Sequence, residues 1–314
     1  MESKKRKLFV DDNELDIAQF FLLLWDYKKF IVVFTGIIAL MSVFYALSIP
    51  NTYRSQVLLS PVQAQGSGGI GSSLGSLGGL ASLAGINLPS MSGDSKAEAL
   101  AVLRSHSFIS NYIVSRDLMA SLMAATGWDD ESNKLIINSS VYDEDKKKWV
   151  SKRGGNAKPS LQEAVRSFRA ISEVGNDKKT GFITIHVDSF SPDVARQWVD
   201  WLVEDINEFM RVQEVTRATK SLAYLNEQVS KTKVSEIKNV LSELIKSETQ
   251  VIMMSESTPE YMFRTIDPAI APEIKLGPKR SIICIVSTII GGIISVLITL
   301  LIHYFNPPWA HRLK

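Results

Sequence analysis

The sequence predicts an α+β membrane protein with two transmembrane helices. Two long apolar runs without Asp, Glu, Lys or Arg, residues 30–49 and 281–305, lie near the two ends of the chain. A helix needs about 20 apolar residues to cross a hydrocarbon core of about 30 Å, so each run is long enough. Between the runs, one segment alternates apolar and polar residues as a half-buried strand does, and other segments have the period of helices.

The first apolar run also determines the predicted orientation. Six Lys or Arg residues precede it, whereas only Arg54 follows closely, so the positive-inside rule places the N-terminus in the cytoplasm. Two spans then return the C-terminus to the cytoplasm and leave residues 50–280 outside it. The alternative is a cleaved secretory signal ending near Ala46-Leu47-Ser48. The span is favoured because the run exceeds an ordinary signal core and the leader contains acidic residues.

After the first span, residues 53–60 have the composition of a strand. A glycine-rich segment follows at residues 65–93, and it fits either a flexible loop or a partly helical segment at a subunit boundary. Three of its glycines match G-x-G-x-x-G, but the glycine run continues beyond them outside the cytoplasm, which argues against a dinucleotide site. Apolar steps of three and four predict helices over residues 95–125. The charged segment that continues to Pro159 is interpreted as a solvated loop.

In the second half of the domain, the sequence pattern predicts a helix over residues 161–170, a strand over 181–188 and a long helical region over 192–255. The helix that begins at Pro192 would reach about 60 Å by residue 231. A polar passage then predicts a break and a second, returning helix. The long helix cannot bury its apolar stripe on a base domain alone, so we expect heptad-spaced residues to contact a helix of the same or the next subunit. These residues are Ala218, Leu222, Leu225 and Val229.

The return to the membrane is rich in proline. Over residues 264–280 the prolines forbid regular helix and predict an extended strut. In the second span, glycine and serine residues predict a small-residue face for close helix contact, although glycines are common in membrane helices for other reasons. The predicted membrane-proximal and span-packing residues are Pro268, Pro272, Pro278, Lys279, Gly291, Gly292 and Ser295.

Composition excludes several classes of function. A net charge of +2 does not favour nucleic acid, and the one cysteine, Cys284, lies inside the second span, so no disulfide or cysteine metal site can form within one chain. The four histidines lack zinc-site spacing. We therefore predict no catalytic, cofactor-binding or metal-binding residues. A two-span sensor would need a cytoplasmic signalling module, which neither 29 nor nine terminal residues are expected to supply.

Several stretches together resemble one family. They are DIAQFFLLLWDYKK before the first span, PNTYRSQVLLS after it, EALAVLRSHSFI, SPDVARQWVDWLVEDINEFM, and IDPAIAPEIKLGPKR leading into the second span. In this order the chain resembles the chain-length determinants, the polysaccharide co-polymerases of Gram-negative bacteria. It departs from the family's proline-rich pattern in the spacing of Pro268 and Pro272 and in Ser295, where a second glycine is usual. No G-x-x-x-x-G-K-[ST] motif of the kinase-fused members is present.

The resemblance implies a periplasmic α/β base, a long protruding helix and rings of identical subunits without catalysis. It implies regulation of the modal length of O-antigen or a related surface polysaccharide. The implied partners are a separate inner-membrane polymerase, a lipid-linked glycan and further copies of the chain. The alternative is a scaffold for capsule or exopolysaccharide polymerisation and export that works with a separate tyrosine kinase. The predicted domains are a cytoplasmic tail (1–29), a span (30–49), a periplasmic domain (50–280), a span (281–305) and a cytoplasmic tail (306–314).

Overall fold

The computed structural model describes residues 24–25, 27–62, 91–150 and 158–305, with the backbone alone for residues 91–94 and 303–305. The predicted tails 1–29 and 306–314 and the glycine-rich segment 65–93 lie wholly or mostly outside these residues. In chain order the elements are α1 (Lys28–Ser48), β1 (Tyr53–Pro61), α2 (Met91–Arg104), α3 (His106–Ser115), α4 (Met119–Met123), β2 (Ala125–Asp129), β3 (Lys134–Ile137), β4 (Tyr142–Asp143), β5 (Lys148–Trp149), α5 (Leu161–Ile171), β6 (Ser172–Asn176), β7 (Ile183–Ser189), α6 (Pro192–Lys231), α7 (Ser235–Ser257), β8 (Phe263–Asp267) and α8 (Arg280–Phe305).

The chain divides into two compact units. One contains Met1–Asn51 and Leu276–Lys314 and is called the membrane unit below; the other, Thr52–Lys275, is called the α+β unit. In the membrane unit α1 and α8 run antiparallel, and both are long and apolar enough to cross a membrane. Most of their large apolar side chains point outward, as lipid-facing side chains do. The predicted fold class, an α+β protein with two membrane spans, is confirmed.

The centre of the α+β unit is a four-stranded antiparallel sheet in the order β6-β7-β1-β8. Successive side chains of a strand point to opposite faces, so β1 and β7 each present one buried and one more polar face. The core face carries Val57 opposite Ile185, both buried. Helices α2, α3, α5 and α6 supply most of the other core residues, which include Leu103, Ile113, Phe168 and Val199.

Helix α6 is the longest element, with 40 residues. The Ser191 side chain caps its N-terminus by accepting a hydrogen bond from the backbone N–H of Val194, and Pro192 is its first residue. Both features are typical of helix starts. Its first half lies on the sheet and buries side chains such as Val199 and Ile206. Forty residues extend about 60 Å, whereas the nine residues of β1 extend about 30 Å. The second half therefore continues past the sheet, where α7 is its neighbour.

A buried asparagine links α6 to the start of β8. The side chain of Asn207 accepts hydrogen bonds from the backbone N–H groups of Met262 and Phe263, both at 2.8 Å, and donates to the Phe263 carbonyl at 3.1 Å. Asn207 is buried, so the loss of its side chain would leave these groups without partners at a cost of about 1–3 kcal/mol each. This contact fixes where the chain returning from α7 joins the sheet.

Two segments differ from the structure expected from the sequence. Residues 125–150 contain two short hairpins, β2–β3 and β4–β5, in place of a solvated loop. Strands of two to five residues are too short to show an alternating pattern, and their turn-forming charged residues dominate the composition. The proline-rich strut begins with a regular strand, β8, which pairs with β1 before Pro268 ends it.

Candidate functional surfaces

The predicted helix seam lies between α6 and α7. Ala218 and Leu225 are buried, and Leu222 and Val229 are half-buried on the same face of α6. The facing residues of α7 are half-buried or buried at matching helical steps: Leu241, Ile245, Glu248, Ile252 and Ser255. The helix that packs on the four predicted α6 residues is therefore α7 of the same subunit. We name the four α6 residues together with this α7 face the hairpin seam.

Polar contacts set the register of the two helices. Glu248 of α7 accepts a hydrogen bond from Ser221 at 3.1 Å and lies 3.5 Å from the Arg217 guanidinium. Arg217 also pairs with Glu214 at 2.6 Å, and this hydrogen bond is the largest cause of the raised pKa of Arg217. Only three residues separate the end of α6 at Lys231 from the start of α7 at Ser235, so the packed helices run antiparallel. The contacts of Arg217 and Ser221 with Glu248 place residue 248 level with residues 217–221.

In the membrane unit, the two helices touch through small residues. A Cβ added to Gly291 would lie 2.8 Å from Cγ2 of Ile38, so the backbone of α8 approaches α1 closely here. One turn further on, Ser295 is buried, and its hydroxyl lies 3.4 Å from that of Thr35. Gly292 differs, because nothing lies within 4 Å of the position of its Cβ. Of the two adjacent glycines, only Gly291 faces the helix contact.

The predicted prolines lie in both units. In the α+β unit, Pro268 is exposed directly after β8 and Pro272 is half-buried. Between them the Ile270 carbonyl accepts a hydrogen bond from Ser55 of β1 at 2.8 Å, which continues the attachment of the strut to the sheet. No helix forms over these described residues, as the proline content predicts.

In the membrane unit, the Gly277–Pro278 peptide bond is cis, and Pro278 is half-buried while Lys279 is exposed. The next residue, Arg280, begins α8. Its guanidinium donates to the Ile49 carbonyl at 3.4 Å and to the Asn51 side chain at 3.2 Å. Arg280 therefore ties the beginning of the second span to the end of the first.

An ion pair and a histidine occupy the polar face of the sheet. Arg54 binds Asp188 across β1 and β7 at 2.7 Å. His186 lies 3.5 Å from Glu173 of β6, and its pKa is lowered mainly by burial and further by the positive charge of Arg54. These groups join three neighbouring strands. Within the described part of the chain, no cluster of three or more His, Cys, Asp or Glu residues is arranged to hold a metal ion.

A second charged cluster joins α3 to α6. Arg116 binds Asp205 at 2.6 Å and Glu204 at 2.7 Å, and its guanidinium stacks on the Trp201 ring with 5.3 Å to the centroid. The hydrogen bond to Asp205 is the largest cause of the raised pKa of Arg116. This arrangement places α3 on α6, since all three partners lie on the first half of α6.

Sequence reasoning missed several residues that these contacts depend on. Asn207 and Arg280 look like ordinary polar residues of a helix and a basic flank, and only their tertiary partners distinguish them. In the spans, Ser42 and Thr299 are buried although neither was singled out. Steps of four from Gly291 lead through Ser295 to Thr299, and this spacing of small or hydroxyl residues indicates one helix face.

Comparisons with known proteins identify part of the chain. The family model described as chain length determinant protein (Wzz) matches residues 13–125, which confirms the family predicted from the sequence for this part. A solved "full-length bacterial polysaccharide co-polymerase" aligns with a TM-score of 0.40 and 10% identity, over 94% of this chain and 100% of that one. A fragment of WzzB, a polysaccharide co-polymerase from Salmonella Typhimurium, aligns with a TM-score of 0.29 and 13% identity, over 72% and 100%. No curated protein sequence matches the chain.

The close approach at Gly291 leads to a testable difference between the adjacent glycines. In a Cys284→Ser background, Thr35→Cys and Ser295→Cys should form a disulfide in membranes, because the native hydroxyls lie 3.4 Å apart. Gly291→Leu should lower the disulfide yield, since overpacking of this kind costs about 1–3 kcal/mol. Gly292→Leu should leave the yield unchanged, and Ile38→Ala should restore it in the Gly291→Leu chain. Equal yields from the two leucine variants would contradict the assigned contact.

Proposed function

Because residues 13–125 belong to the chain length determinant family, we propose that this protein sets the modal chain length of the O-antigen of lipopolysaccharide without catalysing polymerisation. The polymer is made by a separate inner-membrane polymerase. The protein acts on it as a ring-like homo-oligomer and contacts the polymerase, the lipid-linked glycan or both. The family match is the observation that carries this proposal.

The character of the ionisable groups supports a non-catalytic role. Two of the displaced pKa values in the α+β unit belong to arginines that join one element to another, Arg116 on Asp205 and Arg54 on Asp188. Burial raises the pKa of Tyr112, and its hydroxyl donates to the Trp198 carbonyl at 2.8 Å. Displaced pKa values often mark catalytic sites, but structural ion pairs produce them too. For the groups named here, an ion pair between elements or burial in the core explains the shift.

The proposed location is the bacterial inner membrane, with both termini in the cytoplasm and residues 50–280 in the periplasm. The excess of Lys and Arg before the first span supports this orientation. The antiparallel pairing of α1 and α8 is compatible with it, because two antiparallel spans return the chain to its starting side.

An alkaline phosphatase fusion tests this topology. Fused after Ser160, the enzyme should be active in intact cells, since alkaline phosphatase folds only in the oxidising periplasm. The same enzyme fused after Lys314 should be inactive, because the C-terminus is proposed to be cytoplasmic. The reverse pattern of activities would contradict the orientation.

The hairpin seam offers a test of the regulatory role. Leu222→Asp places a charge among buried Ala218 and Leu225, and core disruptions of this kind cost a few kcal/mol. If the protein regulates a separate polymerase, O-antigen should still be made, but its modal length should shorten or broaden. Silver-stained electrophoresis of lipopolysaccharide measures this in a strain that contains the variant at normal membrane levels.

The matched control is Tyr224→Asp, two residues away. Tyr224 is 63% exposed, so the same charge there should leave the hairpin seam and the modal length intact. Complete loss of polymer from Leu222→Asp would indicate a synthetic role and refute the proposal. An unaltered modal band with a destabilised hairpin would show that the hairpin has no part in length control.

A further inference from the structure

The strut that leads to the second span carries the most exposed large apolar side chains of the α+β unit. Ile274 is 85% exposed and Ile270 is 68% exposed, and no other large apolar side chain in the described part of this unit is as exposed as either. Single exposed apolar residues are common on protein surfaces, so exposure alone does not indicate a binding surface. These two residues are distinguished by how close they lie to a membrane span along the chain.

The chain after Ile274 limits its distance from the second span. Ile274 is six residues before Arg280, the first residue of α8. A chain extends by at most about 3.6 Å per residue, so Ile274 lies no more than about 22 Å from the beginning of the span. The backbone bends at residues 273–274, which shortens this distance. The polar headgroup layer begins at the end of the span and is about 5–8 Å thick, so it is within reach of Ile274.

Ile270 is restrained by the first span as well. Its carbonyl accepts a hydrogen bond from the Ser55 hydroxyl at 2.8 Å, and Ser55 is seven residues after Ser48, the last residue of α1. Seven residues extend by at most about 25 Å. The strut is therefore held near the bilayer by two short connections, one to each span.

The charges of the strut suit a surface of anionic lipids. Between residues 268 and 280 the sequence contains one acidic residue, Glu273, and three basic residues, Lys275, Lys279 and Arg280. Segments that combine exposed apolar side chains with an excess of basic ones bind the interface of anionic membranes. This charge balance is independent of the exposure of Ile270 and Ile274, and it favours the same partner.

We propose that Ile270 and Ile274 contact the anionic phospholipid surface of the leaflet in which α8 begins. The strut is then a third membrane contact of the chain besides its two spans, and the contact removes the apolar surface of both side chains from water. A second copy of the chain or a partner protein would be the alternative cover. The lipid surface is favoured because the two short connections keep it within reach of every copy, whatever else binds.

Site-specific fluorescence of the purified full chain tests this contact. In a Cys284→Ser background, which has no other cysteine, Ile270→Cys and Ile274→Cys are labelled separately with a bimane probe. Both side chains are exposed, so neither substitution should disturb the fold. The labelled chains are reconstituted into vesicles of phosphatidylethanolamine and phosphatidylglycerol. Replacing part of this lipid with phospholipid that carries a nitroxide on its headgroup should cause a loss of fluorescence at both positions, because a nitroxide quenches a probe only at short range.

The matched control is Tyr224→Cys, because Tyr224 is 63% exposed on the second half of α6. It lies about 48 Å along the helix from Pro192, so a probe there should keep its fluorescence in the nitroxide lipid. Absence of quenching at both strut positions would overturn the inference. A blue-shifted emission without quenching would identify a second copy as the cover and overturn it too, as would equal quenching at all three positions. The vesicles contain neither polymer nor polymerase, so these outcomes are independent of the proposed function.

Discussion

The pairing of β1 with β8 is the constraint on which the rest of the α+β unit depends. β1 directly follows the first span in the sequence, and β8 precedes the second, yet the two strands are hydrogen-bonded neighbours. Antiparallel pairing brings the beginning of β1 and the residues that directly follow β8 to one end of the sheet, where Ser55 binds the Ile270 carbonyl. Everything between them must leave the sheet and return. Helix α6 leads away, α7 leads back, and Asn207 holds the returning chain at the start of β8.

Two helix pairs of the chain are stabilised by different physics. In the hairpin seam, Ala218 and Leu225 remove apolar surface from water, and the contacts of Glu248 with Arg217 and Ser221 set the register. Between the two spans, lipid removes most of the hydrophobic advantage of helix contact, so close approach of small residues carries the association. Gly291 against Ile38 is that approach. Substitutions that matter in one pair therefore differ in kind from those that matter in the other.

The parts that sequence predicts well are those with a strong local signal. The bounds of α6 follow from the Ser191 cap, the proline at its first turn and the polar break after its heptads. The spans follow from their length and apolarity. The β2–β3 and β4–β5 hairpins could not be predicted, because strands this short carry no period. Nor does sequence give the rotation of a helix about its axis against its neighbour, which is why Gly291 and Gly292 looked equivalent although only Gly291 faces α1.

We propose that the protein regulates the length of a polymer that another protein makes. Deleting the gene tests this regulation most directly, when the lipopolysaccharide ladder is compared with that of the same strain carrying the gene on a plasmid. The deletion strain should still make O-antigen, but without the modal cluster of lengths, and the plasmid should restore that cluster. Loss of all polymer in the deletion strain would contradict the claim. An unchanged O-antigen ladder would contradict it as well. If only the size of a capsule or exopolysaccharide changed, the protein would act on that polymer instead.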